Sequence, residues 1–326
     1  MKRKMIIAAI FASGLVWPGL AAADDAAVTT EIVDAMNKLF GAHPGLRANH
    51  AKGLVVEGNF KATPEAAALS KASLFNGSAI PFVGRFSVAT GIPNIPDGAF
   101  NANPHGIAMK FHLPDGSETD IVINALKFFP VATGADFRDL LQAAGASPPD
   151  APKPTKLEQF LAAHPSVKAA NSTVSTPESF ADEDYYGVNA FVFVNKDGQK
   201  QAFRYHLVPE HSLHLKASEA GAKSPDFLIE EFQQRVKGGK VTFHLKAQLA
   251  AAGDPTNDAT KAWPAERKEV DLGVLTIDKV AENTLEAQKP LLFLPGNLTD
   301  GIEPSDDPLI DIRNGAYAVS FSRRSQ

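Results

Sequence analysis

The chain of 326 residues contains no cysteine. That excludes disulfides, thiolate ligation of a metal, thioether attachment of a cofactor and thiol redox chemistry. Net positive charge is lacking as well: 37 acidic residues outnumber 32 basic ones, for a formal net charge of -5. A nucleic-acid partner, which needs a basic footprint, is not expected. A membrane span needs roughly 20 apolar residues, and the apolar run from Met5 to Val16 falls short of it. That run follows the basic Lys2, Arg3 and Lys4 and leads to Ala21-Ala22-Ala23. This is the pattern of a signal peptide over residues 1–23, cleaved after Ala23, with a bacterial periplasm as the expected location. Loss of its three basic residues takes the net charge from -5 to -8.

The whole sequence is 44% hydrophobic, and the remaining segment, 24–326, is long enough to bury one large core. It has no internal repeat and no low-complexity tract. The Pro-rich stretch Ala146 to Pro154 reads as a loop between helices rather than a domain linker. Ile32, Val33, Met36, Leu39 and Phe40 recur at helical spacing and predict a helix from about Thr30 to Phe40, stopped by Gly41. Further helices are expected at Asp136 to Ala144, Lys156 to His164 and Pro225 to Val236. Strands are expected at Leu54 to Phe60, Phe82 to Ala89, Gly106 to His112, Asp120 to Asn124, Asn189 to Asn195, Gln201 to Val208, Val241 to Leu249 and Glu269 to Ile277. Asn195-Lys196-Asp197-Gly198 supplies a hairpin turn between two of them. Eight such strands predict an α+β chain: an eight-stranded antiparallel β-barrel with flanking helices.

Chemistry-bearing residues gather in three places. His50, in Arg47-Ala48-Asn49-His50, can take and return one proton near neutral pH; most histidines, however, have no such task. Arg85 and Ser87 in Arg85-Phe86-Ser87 share one face of a strand, where an ordinary surface arginine would also sit. Arg313 and Tyr317 stand four apart, over one face of a helix, and a phenolate there is a hard anionic ligand suited to ferric iron. Otherwise they are a paired arginine beside a core tyrosine. Tyr205 is the competing phenol, but His206 rather than an arginine follows it. Tyr185 and Tyr186 are expected to pack at a strand entrance. A metal hydrolase built on His211 and His214 is disfavoured, because no carboxylate stands at ligand spacing.

In combination these segments resemble the haem catalases over nearly all of residues 24–326. His50-Ala51-Lys52-Gly53 to Thr63 resembles the distal segment, Arg85-Phe86-Ser87 the Arg-Phe-Ser motif, Asp120 to Asn124 the Asp-Leu-Val-Gly-Asn motif, and Pro304 to Tyr317 the stretch ending in Arg-x-x-x-Tyr. Thr260 to Pro264 and Gly301 to Ser305 also match. The resemblance implies a noncovalent haem b, with Tyr317 as axial iron ligand and Arg313 as its charge partner. It implies that His50, Ser87 and Asn124 are catalytic. Arg47, Arg85 and Arg324 would bind haem propionates, or lie beside the haem, and Phe137 would pack on the haem face.

The chain also departs from the large catalases. It lacks their N-terminal arm, most of the wrapping segment and the C-terminal helical domain, and in this it resembles the small catalase-related peroxidases. Asn49, Ala89 and Asn103 replace two valines and an aspartate of the peroxide channel, Asn189 replaces a histidine, and His105 replaces an arginine. A wider, more polar channel implies a peroxidase that reduces hydrogen peroxide or organic hydroperoxides with electrons from a small organic donor. The alternatives are a minimal catalase and a periplasmic haem carrier or sensor. Monomer and homodimer both remain open from the sequence.

Overall fold

The computed structural model describes the backbone of residues 18–325 and side chains from residue 26. Residues 1–17, most of the expected signal peptide, lie outside the described residues. The strands are β1 (Gly53–Ala62), β2 (Ala79–Ser87), β3 (Gly106–His112), β4 (Glu118–Asn124), β5 (Tyr185–Tyr186), β6 (Phe191–Val194), β7 (Lys200–Pro209), β8 (Val241–Leu249), β9 (Glu269–Val280) and β10 (Ile302–Pro304). The helices are α1 (Pro18–Phe40), α2 (Pro64–Leu69), α3 (Gly134–Gly145), α4 (Lys156–Ala163), α5 (Pro165–Asn171), α6 (Ala217–Gly221), α7 (Phe227–Gly238), α8 (Thr284–Ala287) and α9 (Leu309–Arg324). Among the described residues no helix is long and apolar enough to cross a membrane.

Antiparallel pairings run β1-β2-β3-β4-β5-β7-β8-β9 and return from β9 to β1, closing an eight-stranded barrel. The predicted strand Asn189 to Asn195 forms as β6, but the stave it belongs to also includes the unpredicted β5 and is broken between them. Tyr185–Tyr186 bridges β4 to β7, whereas Phe191–Val194 pairs with β7 and then with β10 outside the ring. At the break the Gly187 amide donates to the Tyr205 carbonyl at 2.7 Å, which keeps the chain against β7. The predicted hairpin joins β6 to β7: Gly198 has φ 78 and its amide donates to the Asn195 carbonyl. The Pro-rich stretch is a loop between α3 and α4, as read from the sequence. Thr133 caps α3 and Thr155 forms a capping box with Glu158 at α4, so both helices start at hydroxyl caps.

Strand alternation separates two jobs. Leu54, Val56, Phe60, Phe82, Phe86, Ile107, Met109, Phe111, Ile121 and Ile123 point into the barrel, where they join Phe193, Phe203 and Phe243 in one buried core. The barrel is therefore filled by side chains and has no lumen for a ligand. The intervening positions Arg85, Ser87, Ala108, Val122 and Asn124 face the other way. A helical layer covers this outer face: α1, α3 and α9 share a smaller core of Ile32, Val33, Met36, Leu141, Ile312 and Ala316. The space between barrel and helices is where the polar residues meet.

Candidate active site

A cavity with about 1260 Å³ of empty space, its open mouth included, lies between the outer barrel face and the helical layer. All nine residues singled out from the sequence border it: Arg47, His50, Arg85, Ser87, Asn124, Phe137, Arg313, Tyr317 and Arg324. They come from a loop, two strands and two helices.

His50 sits in the loop between α1 and β1 at φ 55, a left-handed conformation costly for a residue with a side chain. The loop is held there because the Ala51 amide donates to the Thr90 carbonyl at 3.0 Å and the Ala48 amide to Ser320 Oγ at 3.1 Å. His50 Nδ1 lies 3.0 Å from Ser87 Oγ, which also lies 3.5 Å from the Gly106 carbonyl. If the hydroxyl donates to that carbonyl, it accepts from Nδ1–H, and this tautomer leaves Nε2 with its lone pair. Among the described residues Nε2 has no hydrogen-bond partner. Burial lowers the imidazole pKa to about 3, with smaller contributions from Arg85, His105, Arg313 and Arg47, so His50 is a neutral base in the working range.

Asn124 ends β4. Its Oδ1 accepts from the Leu126 amide at 2.8 Å, which leaves the side-chain NH2 as the group available to the cavity it borders.

One rim of the cavity is cationic. Arg47 Nη1 and Arg85 Nε both donate to Gln288 Oε1 at 3.0 Å, while Arg47 and Arg324 share the Leu291 carbonyl. Among the described residues none of the three meets a carboxylate. Burial brings the Arg85 guanidinium down to about 9 and Arg324 to about 10; Arg47 is also lowered, first by burial and then by its two arginine neighbours. Arg324 Nε is buried without a partner. One buried and two half-buried cations, none paired with a carboxylate among the described residues, suit a ligand that carries carboxylates.

Helix α9 also presents Arg313 and Tyr317 to the cavity. Arg313 Nε donates to the Tyr317 phenol oxygen at 3.2 Å and Nη2 to the Val122 carbonyl at 3.3 Å. Arg313 Nη1 donates to Asn189 Oδ1, and Asn189 Nδ2 to Asp307 Oδ2 at 2.8 Å. Phe137, on α3, packs against Phe129 at 5.4 Å between ring centres. Val33, Met36, Val188 and Ile312 complete the apolar lining. A phenol, an imidazole, apolar walls and a cationic rim fit an iron porphyrin with two propionates.

The structure also corrects and extends the sequence reading. Of the three expected channel residues, Asn49 borders the cavity, whereas Ala89 and Asn103 stand outside its lining. Tyr205 is excluded as a phenolate: it packs in the barrel core between Phe191 and Phe203, and burial pushes its pKa up. Tyr185 packs fully buried, as expected. His211 and His214 do not form a metal site; among the described residues no group of three such ligands exists. Sequence reasoning missed Gln288, which bridges two arginines, and Asp307, which anchors Asn189. Gln288 belongs to no local motif; Asp307 lies within the matched stretch Pro304 to Tyr317, where no spacing marked it as a partner of Asn189.

Three comparisons bear on this site. The catalase family model matches residues 34–325. A catalase-related peroxidase of Mycolicibacterium paratuberculosis is 37% identical over 300 residues, covering 90% of this chain and 94% of that protein. A catalase-related peroxidase of Synechococcus elongatus is 33% identical over 301 residues, covering 91% and 88%. Mouse catalase is 28% identical over 297 residues, but the match spans only 56% of its length. A solved bacterial catalase superposes with TM-score 0.76 at 21% identity over 99% of this chain and 64% of that chain, a likeness of fold.

Proposed function

The chain belongs to the catalase family, and from that premise we propose that it is a haem-dependent peroxidase of the periplasm. It reduces hydrogen peroxide or an organic hydroperoxide with electrons from a small organic donor. Tyr317 would hold the iron of a noncovalent haem b, Arg47, Arg85 and Arg324 its propionates, and Phe137 would pack on the ring. Bound there, the haem would supply an iron able to hold a peroxide and a ring able to store oxidising equivalents.

The protein's own part is proton handling and positioning. His50 Nε2 accepts the proton of the bound peroxide oxygen and returns it to the departing oxygen, which leaves as water or alcohol. Ser87 holds the imidazole through Nδ1, so the free nitrogen keeps its lone pair. The Asn124 amide donates a hydrogen bond to the peroxide, since its own oxygen is engaged by Leu126. Arg313 Nε donates to the Tyr317 oxygen and balances the charge of an iron-bound phenolate.

One observation carries this reading: His50, oriented by Ser87, shares a cavity with the Asn124 amide and the Arg313–Tyr317 pair. A carrier needs a releasable ligand and has no use for a proton shuttle. Asn49 on the lining favours a donor over a second peroxide as reductant.

The test is a pair of assays on one haem-loaded sample: oxygen release from hydrogen peroxide, and oxidation of an aromatic one-electron donor by an organic hydroperoxide. Fast donor oxidation with little oxygen supports the peroxidase. Vigorous oxygen release with slow donor oxidation replaces it by a minimal catalase. Haem transfer with neither activity replaces it by a carrier. His50→Ala should abolish peroxide turnover while haem is retained.

A further inference from the structure

We propose that His105, Glu183 and His214 form a proton path between solvent and the His50 side of the cavity. The proposal rests on the peroxidase reading above, because that reaction has an unmet proton demand. Reducing one hydroperoxide to alcohol and water consumes two electrons and two protons at the peroxide oxygens. Each of two donor molecules gives up one electron, and its proton departs to solvent where the donor binds. Two protons must therefore be delivered to the buried peroxide in every turnover. Dismutation has no such need, since the second peroxide brings both of its protons with it.

The path begins beside the catalytic residues. His105 precedes Gly106, which pairs with Ser87 on one side and with Asn124 on the other. The His105 side chain is 0% exposed, and neither ring nitrogen has a hydrogen-bond partner among the described residues. A buried imidazole kept only for shape would carry the full cost of two unsatisfied polar atoms. Its edge-on contact with Phe180 fixes the ring without satisfying either nitrogen.

Nδ1 of His105 lies 3.7 Å from Glu183 Oε2, an oxygen that is itself buried and unpartnered. That distance exceeds a hydrogen bond, and a small ring rotation closes it. Glu183 Oε1 accepts from His214 Nε2 at 3.0 Å. The His214 side chain is 28% exposed. Three residues thus lead from full burial to solvent as imidazole, carboxylate, imidazole, groups that exchange protons readily near neutral pH.

On the inner side, His50 and His105 are close enough that charge on one disfavours charge on the other. Asn49 Oδ1 and Asn103 Oδ1, which neighbour the two histidines in sequence, are also buried without partners and offer polar ground for bridging water. The charged and titratable groups that act on His105 are Glu183, His50 and Asp97, the last paired with Lys52.

The experiment uses the haem-loaded protein and the variants His105→Gln, Glu183→Gln and His214→Asn. Fluoride is the probe, because its binding as an anion at the iron draws one proton to His50; a pH indicator follows that uptake. In the two buried variants the path predicts that proton uptake and donor oxidation slow by at least about tenfold. The solvent isotope effect on donor oxidation rises, and the equilibrium fluoride affinity and haem content stay within about twofold of wild type. His214→Asn slows both processes less and is rescued by imidazole buffer, and it serves if His105→Gln does not fold. Unchanged uptake rate and isotope effect overturn the path. Parallel loss of fluoride affinity and haem content overturns it too, by assigning His105 a structural role. If the wild type oxidises no donor, the peroxidase reading fails, and fluoride-linked uptake still decides the path separately.

Discussion

His50 combines two departures from ordinary behaviour, a left-handed backbone and an imidazole whose pKa burial lowers to about 3. Both have consequences for stability. The unfolded chain takes up a proton at this residue near 6.5, whereas the folded chain resists protonation down to about 3. Between those limits the unfolded state binds more protons, so the His50 contribution is complete above 6.5 and is lost as pH falls through the window. The slope approaches about 1.4 kcal/mol per pH unit. Urea unfolding of wild type and His50→Gln at pH 6.5 and about pH 4.5 should show a steeper loss for wild type. Parallel losses would mean that His50 is protonated in the fold. The cationic rim makes a second prediction at this scale. Arg85 is buried, holds Ala51 and Gln288, and faces no carboxylate. Arg85→Gln should relieve cation repulsion in the haem-free chain yet weaken haem retention by about tenfold or more, read by spectral titration. Retention equal to wild type would mean that Arg85 does not face a propionate.

Helix α9 carries both Arg313 and Tyr317, the proposed ligand pair, and its approach to α1 sets where they stand. Gly315 lies between Arg313 and Tyr317, and a Cβ there would meet Thr29 Cγ2 at 2.6 Å. Thr29 is buried, so it has little room to move. Gly315→Ala should cost about 1–3 kcal/mol by overpacking and should alter the haem spectrum, because the helix must shift with Tyr317 on it. An unchanged spectrum and midpoint would sink the idea that this contact positions the ligand. The broken fifth stave acts on the same helix from the barrel side: Asn189, in the gap between β5 and β6, holds Arg313 and is held by Asp307. Asn189→Ala should leave haem bound and lower turnover roughly 10- to 100-fold, as loss of such supporting contacts does; full activity would show that Arg313 needs no such tether. These elements also mark the limit of what the sequence reveals. Strict alternation made β1 to β4 legible, along with the shared face of Arg85 and Ser87. The break at Gly187 to Ala190 was not legible, because a strand interrupted by a close approach to β7 keeps an apolar pattern on both sides. Gln288 was invisible for a different reason: its partners Arg85 and Arg47 lie 203 and 241 residues away, with no local spacing to betray the contact.

Among the described residues the two larger cores are of unequal kind, and they should respond differently to haem. The barrel core is continuous and rich in phenylalanine, with Phe60, Phe86, Phe111, Phe203 and Phe243 fully buried, and its ring is closed by strand pairing. The helical layer has a smaller core, and four of its members, Ile32, Val33, Met36 and Ile312, also border the cavity. A bound porphyrin would pack against them and gather Arg47, Arg85 and Arg324 around its carboxylates. Ligand binding stabilises whatever folded state it needs by RT ln(1 + [L]/Kd), about 2.7 kcal/mol when the ligand is at 100 times Kd. In hydrogen exchange, that energy appears only in openings that disrupt the site. Amides of α1, α3 and α9 should therefore exchange at least about tenfold more slowly in haem-loaded protein than in haem-free protein. The strands β7, β8 and β9, which contribute no residue to the lining, should change little. Peptide-resolved exchange on the two forms distinguishes this from the contrary outcome. Uniform slowing across barrel and helices would mean that the two layers open only together, and that the helical layer has no separate equilibrium for haem to bias.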